Sequence, residues 1–196
     1  GQTGHFVTRS PIPVEKMPYI LNMHLPSDIV VRKAEEMQPG FHARYDATGK
    51  TYVYLLARGA QPHIFLRRYS WHLRQELDLP AMREGARHLI GTHDFTSFCS
   101  AQTPLTDRVR TITELAIEPL QVWDYPLLKV RVSGNGFLYN MVRIIVGTLV
   151  EVGLGKRKTE EIKEILQARD RTAAGQTAPP QGLILWEVQY GQTNSH

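Results

Sequence analysis

Cysteine is almost absent from this sequence of 196 residues, in which Cys99 is the single example. One cysteine cannot form a disulfide within the chain, and this favours a reducing compartment. Long apolar runs are absent as well, and the opening residues lack the pattern of a secretory signal. The sequence therefore predicts a cytoplasmic protein with no membrane association.

Metal-ligand spacing is also missing. The eight histidines and the single cysteine do not fall at the intervals typical of zinc sites. We therefore expect no metal site. A chain of this length, with 42% hydrophobic residues, can bury a core without metals or disulfides.

The sequence does contain an excess of positive charge, with a net charge of +4. Basic residues cluster at Arg67 and Arg68, at Lys156, Arg157 and Lys158, and at Arg169 and Arg171. The aromatic residues interleaved with them are Tyr52, Tyr54, Tyr69, Trp71, Phe137 and Tyr139. Arginine for phosphate and aromatic rings for base stacking are what RNA binding requires. A solvated basic surface over core aromatics fits the charge equally well, so charge alone leaves both interpretations open.

Hydrophobic periodicity predicts strands and helices in mixed order. We expect strands at residues 51–57, 110–118, 127–132 and 183–190, and weaker β-rich runs at 1–8 and 29–31. We expect helices after the capping residue Asp78, at residues 138–152 and from Thr159. Because strands and helices do not alternate regularly, the fold class is α+β with a largely antiparallel sheet.

Five stretches, in order along the chain, resemble the TruA family of tRNA pseudouridine synthases. They are NMHLPSDI from Asn22, FHARYDATGKTYVY from Phe41, HDFTSF from His93, GNGFLYNMVRIIVG from Gly134 and TAPPQGLIL from Thr177. Several ordered motifs with consistent spacing are more specific than any one of them. The resemblance covers nearly the whole chain.

The resemblance implies a pseudouridine synthase fold, in which two α/β subdomains share an extended antiparallel sheet flanked by helices. Residues 1–40 would be the remnant of an incomplete first subdomain and residues 41–190 the second, with a tail at 191–196. It further implies isomerisation of uridine to pseudouridine in the anticodon stem-loop of tRNA. Members of the family need no cofactor, bind tRNA and are usually homodimers.

The family's essential aspartate lies in a GRTDAGVHA-type loop, and this chain has no such loop. The opening GQTGHF resembles the segment that follows the loop in the family. None of the seven aspartates in the chain sits in an equivalent motif. We therefore expect the chain as it stands to be inactive, because removal of a nucleophile costs many orders of magnitude in rate.

Two residues carry the catalytic part of the resemblance. Tyr52 matches the active-site tyrosine that stacks on the flipped uracil and could help to remove its C5 proton. Arg143 matches the arginine that keeps the catalytic aspartate ionised and oriented. The alternatives are an ordinary strand tyrosine and a structural salt bridge, for example from Arg143 to Asp46. An arginine in so apolar a helix needs a partner in either case.

Four further residues match substrate-binding positions of the family. Ile145, Gly182 and Leu183 correspond to apolar positions that pack against the uracil, although each could equally be a core or turn residue. Arg44 lies in the segment that leads toward the site and could contact a phosphate or the flipped nucleotide.

Two other functions remain open at this point. The first is a non-catalytic RNA-binding protein of the same fold, which never had the aspartate. The second is an unrelated basic enzyme that uses Asp46 or Asp170 as its nucleophile.

Overall fold

The computed structural model describes residues 1–101, 103 and 106–191, which divide into two units. The smaller unit is Thr3–Asp46, and the larger contains residues 1–2 and the described residues from Ala47 onward. The division follows shortly after the predicted boundary at Gly40. Apart from Gly191, the predicted tail lies outside the described residues. The assignment of the two parts to family subdomains stays a prediction.

The smaller unit contains a short 3-10 turn, Val14–Lys16, that leads directly into α1, Met17–His24. The predicted β-rich run at residues 29–31 is wrong. The amide of Val31 donates to Oδ1 of Asn22 (2.8 Å), and the carbonyl of Val31 accepts from Nδ2 of Asn22 (2.9 Å). A side chain thus satisfies the main-chain groups that a strand partner would bind. The predicted strand end within residues 1–8 is also wrong, because those residues form no ladder.

The larger unit contains a six-stranded sheet in the order β2-β1-β5-β4-β3, with β6 paired to β1. Its strands are β1 Ala47–Arg58, β2 Trp71–Leu73, β3 Gly91–Asp94, β4 Val109–Val122, β5 Tyr125–Gly134 and β6 Leu183–Tyr190. The β1–β2 pair is parallel, and the other pairs are antiparallel. The predicted α+β class with a largely antiparallel sheet is confirmed.

β1 is the strand on which the rest of the sheet is organised. One side of β1 pairs with β5 along most of its length. The other side is shared, because β6 pairs with residues 47–54 of β1 and β2 pairs with residues 56–58. The first half of β1 is therefore held between β5 and β6, which fixes the direction of its side chains.

The described residues of the larger unit also form three α-helices: α2 Leu79–Arg87, α3 Met141–Gly153 and α4 Glu161–Ala168. The predicted cap of α2 is confirmed, since Oδ1 of Asp78 accepts from the amide of Ala81 at 2.9 Å. α3 is buried along its length except at Arg143 and Glu151. Such a helix forms the centre of a core, and its two charged residues require partners at its surface.

Candidate active site

The alternation of β1 places Tyr52 and Tyr54 on the same face of the sheet. Tyr54 and Leu56 belong to the core cluster that also contains α3, and Tyr52 packs against the same cluster from its edge. Tyr54 is fully buried, whereas Tyr52 keeps part of its ring accessible. The two tyrosines therefore have different environments although only one residue separates them.

Tyr52 is held by an aromatic neighbour. Its ring makes an edge-to-face contact with the ring of Phe137, with centroids 5.3 Å apart. This geometry is favourable for aromatic pairs and fixes the plane of the Tyr52 ring. Burial raises the pKa of the Tyr52 phenol above its usual value. The hydroxyl is therefore neutral at physiological pH, and its environment opposes formation of a phenolate base.

Tyr54 anchors the segment that precedes β6. Its hydroxyl donates to the carbonyl of Pro179 at 2.6 Å. Gly182 lies against its ring, since a Cβ at that position would be 2.6 Å from Cζ of Tyr54. Burial raises the pKa of Tyr54, and the charge of Arg143 acts in the opposite direction. The phenol thus serves as a permanent hydrogen-bond donor close to Arg143.

The guanidinium of Arg143 donates hydrogen bonds to two different acceptors. Its Nε donates to the carbonyl of Ala178 (2.7 Å), and its Nη1 donates to Oδ1 of Asn140 (2.9 Å). The amide of Ala178 donates in return to the carbonyl of Arg143 at 3.0 Å. No described carboxylate of the larger unit forms an ion pair with Arg143. Within the described part of the larger unit, neutral acceptors therefore hold the guanidinium and do not offset its positive charge.

The segment before β6 is attached along α3 by further hydrogen bonds. The amide of Gly175 donates to Oγ1 of Thr148 at 3.0 Å, and the amide of Gln176 donates to Oε1 of Glu151 at 2.9 Å. Glu151, the second charged residue of α3, also pairs with Nε of Arg157 at 2.6 Å. The backbone on which Arg143 rests is therefore fixed at several points.

The structure brings four of the predicted site residues into one region of the larger unit. Gly182 and Leu183 begin β6, where Leu183 is opposite Tyr54 in the ladder and Leu185 is opposite Tyr52. Leu183 is half-buried beside the core, as Tyr52 is. Arg143 reaches the same region through Ala178. This arrangement combines an aromatic face, a fixed cation and an apolar strand start.

Ile145 and Arg44 are the two remaining predicted site residues. Ile145 is fully buried in the core cluster, which favours the packing role that the sequence left open. Its contact with a base stays a prediction. Arg44 belongs to the smaller unit, where its guanidinium lies 5.9 Å from the ring centroid of Tyr45. Asp46, the proposed structural partner of Arg143, accepts the amide of His42 at 2.7 Å through its carboxylate.

Sequence reasoning missed three residues that hold this region together: Tyr54, Asn140 and Ala178. Signals for two of them were present. Tyr54 follows Tyr52 by two residues on a strand, so the two share a face. Asn140 precedes Arg143 by three residues at a helix start, a spacing that brings side chains together. Nothing in the sequence pointed to the carbonyl of Ala178, because backbone acceptors carry no residue signal.

The predicted basic clusters are only partly free for a polyanion. Arg157 pairs with Glu151 and Glu161, and Nε of Arg169 lies 3.1 Å from Oδ2 of Asp94. Arg67 and Arg68 are exposed, as are Lys156 and Lys158. Within the described residues, no helix is both long enough and apolar enough to cross a membrane.

Comparison with known proteins identifies relatives over almost the whole chain. Residues 86–191 match the family model of tRNA pseudouridine synthase. The tRNA pseudouridine synthase A of Shouchella clausii (strain KSM-K16) is 50% identical over 192 residues, which are 98% of this chain and 72% of that protein. The protein of the same name from Bacillus subtilis (strain 168) is 50% identical over 97% of this chain and 75% of its own length.

A third relative, the tRNA pseudouridine synthase A of Bacillus pumilus (strain SAFR-032), is 53% identical over 97% of this chain and 75% of its own length. The residues aligned with these proteins include the strand of Tyr52, the helix of Arg143 and the segment between them. With half of its residues identical over such lengths, the chain belongs to the tRNA pseudouridine synthase family.

Proposed function

We propose that this protein isomerises uridine to pseudouridine in tRNA, with the anticodon stem-loop as the target region. The observation that carries this proposal is the presence of a half-buried Tyr52 and a guanidinium at Arg143 held by neutral acceptors, in a chain whose relatives are named tRNA pseudouridine synthase A. The reaction needs an aromatic face for a flipped base and a cation beside a carboxylate. Tyr52 and Arg143 supply both.

The reaction rearranges the uracil without any net change in atoms. The glycosidic bond between N1 and the ribose breaks, the base turns, and a carbon–carbon bond forms through C5. C5 then loses its proton, and N1 ends with one. The target base must first leave the stack, which costs a few kcal/mol. Stacking on the Tyr52 ring offsets part of that cost.

Arg143 is proposed to hold the family's aspartate in its ionised form. An arginine close to a carboxylate lowers the carboxyl pKa and fixes its orientation. The neutral partners of Arg143, Asn140 and Ala178, fit this role because they orient the guanidinium without neutralising it. No aspartate of this chain lies in the family's loop motif, and the chain alone is proposed to be inactive.

The experiment compares this chain with the polypeptide of the complete reading frame. Both are incubated with tRNA transcripts, and pseudouridine is measured at each anticodon-stem uridine. We expect turnover from the complete polypeptide and RNA binding without turnover from this chain. Absence of pseudouridine in both, with RNA binding retained, would replace the proposal with a non-catalytic RNA-binding protein.

The protein is also proposed to be a homodimer, and one surface of the larger unit supports this. The rings of His63, Phe65, Trp123 and Tyr125 contact one another and form an aromatic cluster. Phe65 is 72% exposed and Trp123 is 66% exposed. Each such ring can bury about 150–250 Å². Phe65 and Trp123 therefore offer an exposed apolar area that can form the centre of the roughly 800 Å² that each partner of a stable complex buries.

Two features favour a second copy of the chain as the occupant of the aromatic cluster. Trp123 has φ = 51° as the first residue of the two-residue turn between β4 and β5, and this turn displays its indole at the surface. Arg67 and Arg68 follow Phe65 in the chain, while Asp124 follows Trp123. A two-fold contact can therefore pair the arginines of each copy with the aspartate of the other.

Sedimentation velocity tests the homodimer. Trp123→Gly suits the backbone at that position and removes the indole, so we expect a folded monomer. Trp186→Ser removes an indole that is also exposed but lies on β6, and we expect this control to remain dimeric. If Trp123→Gly weakens RNA binding and leaves the sedimentation coefficient unchanged, the aromatic cluster binds RNA instead.

We also propose that the protein is cytoplasmic, because of its substrate and its free cysteine. The substrate, tRNA, is a cytoplasmic molecule, and the single cysteine, Cys99, is buried and free. Fractionation of cells that express the protein tests this proposal. Recovery with the membrane fraction would contradict it.

A further inference from the structure

Asn140 occupies an unusual position at the start of α3. It is the N-cap residue, and an asparagine there normally accepts an amide of the first helical turn. Asn140 makes no such capping bond, and its backbone is left-handed, with φ = 61° and ψ = 6°. Its side-chain oxygen accepts from Nη1 of Arg143 instead. The residue thus forgoes the usual cap and binds the guanidinium.

Tyr54 fixes the backbone segment that binds Nε of the same guanidinium. Its hydroxyl binds the carbonyl of Pro179, and the adjacent carbonyl of Ala178 binds Nε of Arg143. The ring of Tyr54 is confined by Gly182, so the hydroxyl cannot move away from Pro179 without displacing the start of β6. Two consecutive carbonyls are in this way fixed by a strand tyrosine and a helix arginine.

We infer that Asn140 and Tyr54 are positioning residues that set the orientation of Arg143 for the reaction. This inference rests on the proposed function, in which the Arg143 guanidinium orients the catalytic carboxylate. Asn140 acts directly on Nη1, and Tyr54 acts through the Ala178–Pro179 segment. No described atom of the larger unit accepts a hydrogen bond from Nη2 of Arg143. The two bonds at Nε and Nη1 therefore fix the direction in which the Nη2 side of the guanidinium points.

The two acceptors of the Arg143 guanidinium are both neutral, so they orient it without competing for its charge. A carboxylate at position 140 would hold Arg143 equally well but would compete for its charge. An amide oxygen and a backbone carbonyl fix the plane and leave the full charge for the reacting carboxylate. Misplacement of such a group by about 1 Å costs about 100-fold in rate. Loss of either positioning residue should therefore affect turnover more than substrate binding.

The test uses the polypeptide of the complete reading frame, with kcat and KM measured on a tRNA transcript. Asn140→Gly removes the acceptor and suits φ = 61°, so the fold is retained. We expect kcat to fall about 10- to 100-fold with KM unchanged. Tyr54→Phe keeps the buried ring and removes the bond to Pro179, and we expect a fall in kcat of the same kind. A kcat within twofold of the parent for Asn140→Gly would overturn the role of Asn140.

Rescue by Asn140→His distinguishes positioning from a structural role. Histidine tolerates the left-handed backbone, and its neutral ring can accept from Nη1. Above about pH 7.5 we expect most of the parent kcat. Below about pH 6.5 the ring becomes a cation, cannot accept and repels Arg143, so kcat should fall where the parent does not. A pH profile that matches the parent would contradict the inference. Lack of activity in the parent itself would instead refute the proposed function.

Discussion

Arg143 and Ala178 bind each other through two reciprocal hydrogen bonds. The side chain of Arg143 donates from Nε to the carbonyl of Ala178, and the amide of Ala178 donates to the carbonyl of Arg143. A helix arginine and the segment before β6 are thereby connected at both the side chain and the backbone. The position of the cation depends on that segment as much as on the helix.

Arg143→Lys should separate charge from geometry. Lysine keeps the positive charge but cannot bind Ala178 and Asn140 at the same time with the planar geometry of a guanidinium. We expect kcat to fall about 100-fold or more in the complete polypeptide, while tRNA binding stays within a few-fold. Single-turnover kinetics and a filter-binding assay measure the two quantities.

Arg83→Lys is the matched control for that substitution. Arg83 is also a helix arginine whose Nε donates to a backbone carbonyl, that of Ile117 at 3.0 Å, but it lies on α2. We expect it to change kcat less than twofold. An equal loss of activity in both variants would mean that Arg143 acts through stability.

The architecture could be predicted from the sequence because its elements have strong local signals. The strand of Tyr52, the apolar helix of Arg143 and the cap Asp78 all rest on periodicity or capping that is visible within a few residues. Val31 shows the opposite case. Its β-rich neighbourhood failed to form a strand because Asn22, nine residues earlier, binds its backbone.

The candidate site was predictable only in its side chains. Tyr52 and Arg143 were found through motif resemblance, and the structure places them in one region. The hydrogen bonds of Tyr54 and Arg143 to Pro179 and Ala178 are contacts to backbone carbonyls, which depend on the path of the chain. These contacts can be predicted from a sequence only when the whole fold is known.

Tyr52→Phe tests the role of the phenol. We expect tRNA affinity to be retained, because the ring and its contact with Phe137 remain, and kcat to fall about 100- to 10,000-fold if the hydroxyl moves a proton. Burial raises the pKa of Tyr52, so the wild-type rate should show no rise from phenolate formation below about pH 10. Tyr69→Phe, at an exposed position, is the control. Full turnover in Tyr52→Phe would limit Tyr52 to stacking.

Gly182→Ala should strain the connection between Tyr54 and β6. The new Cβ would lie 2.6 Å from Cζ of Tyr54 and 2.9 Å from the carbonyl oxygen of Leu55, and neither group can move freely. We expect a loss of about 1–3 kcal/mol in unfolding free energy, measured by urea denaturation.

Gly136→Ala provides the comparison for Gly182→Ala, because the nearest atoms to its Cβ belong to the flexible Arg110 side chain at 3.7 Å. Its effect should stay within about 0.5 kcal/mol. A loss for Gly182→Ala as small as that expected for Gly136→Ala would show that the crowding at Tyr54 is relieved by movement of β6.

Asp94 should contribute to stability in acid. Its Oδ1 accepts from the hydroxyl of Thr96 at 2.6 Å, and this bond, with the nearby Arg169, lowers the carboxyl pKa below its usual value. The unfolded chain therefore binds a proton more readily, and stability should fall as the pH drops below about 4. In Asp94→Asn we therefore expect a weaker fall of the unfolding free energy in this acid limb, the part of the pH profile below about 4. Urea titrations between about pH 2.5 and 5, roughly one unit either side of the usual Asp pKa, measure it. An acid limb that persists in Asp94→Asn would assign it to other carboxylates.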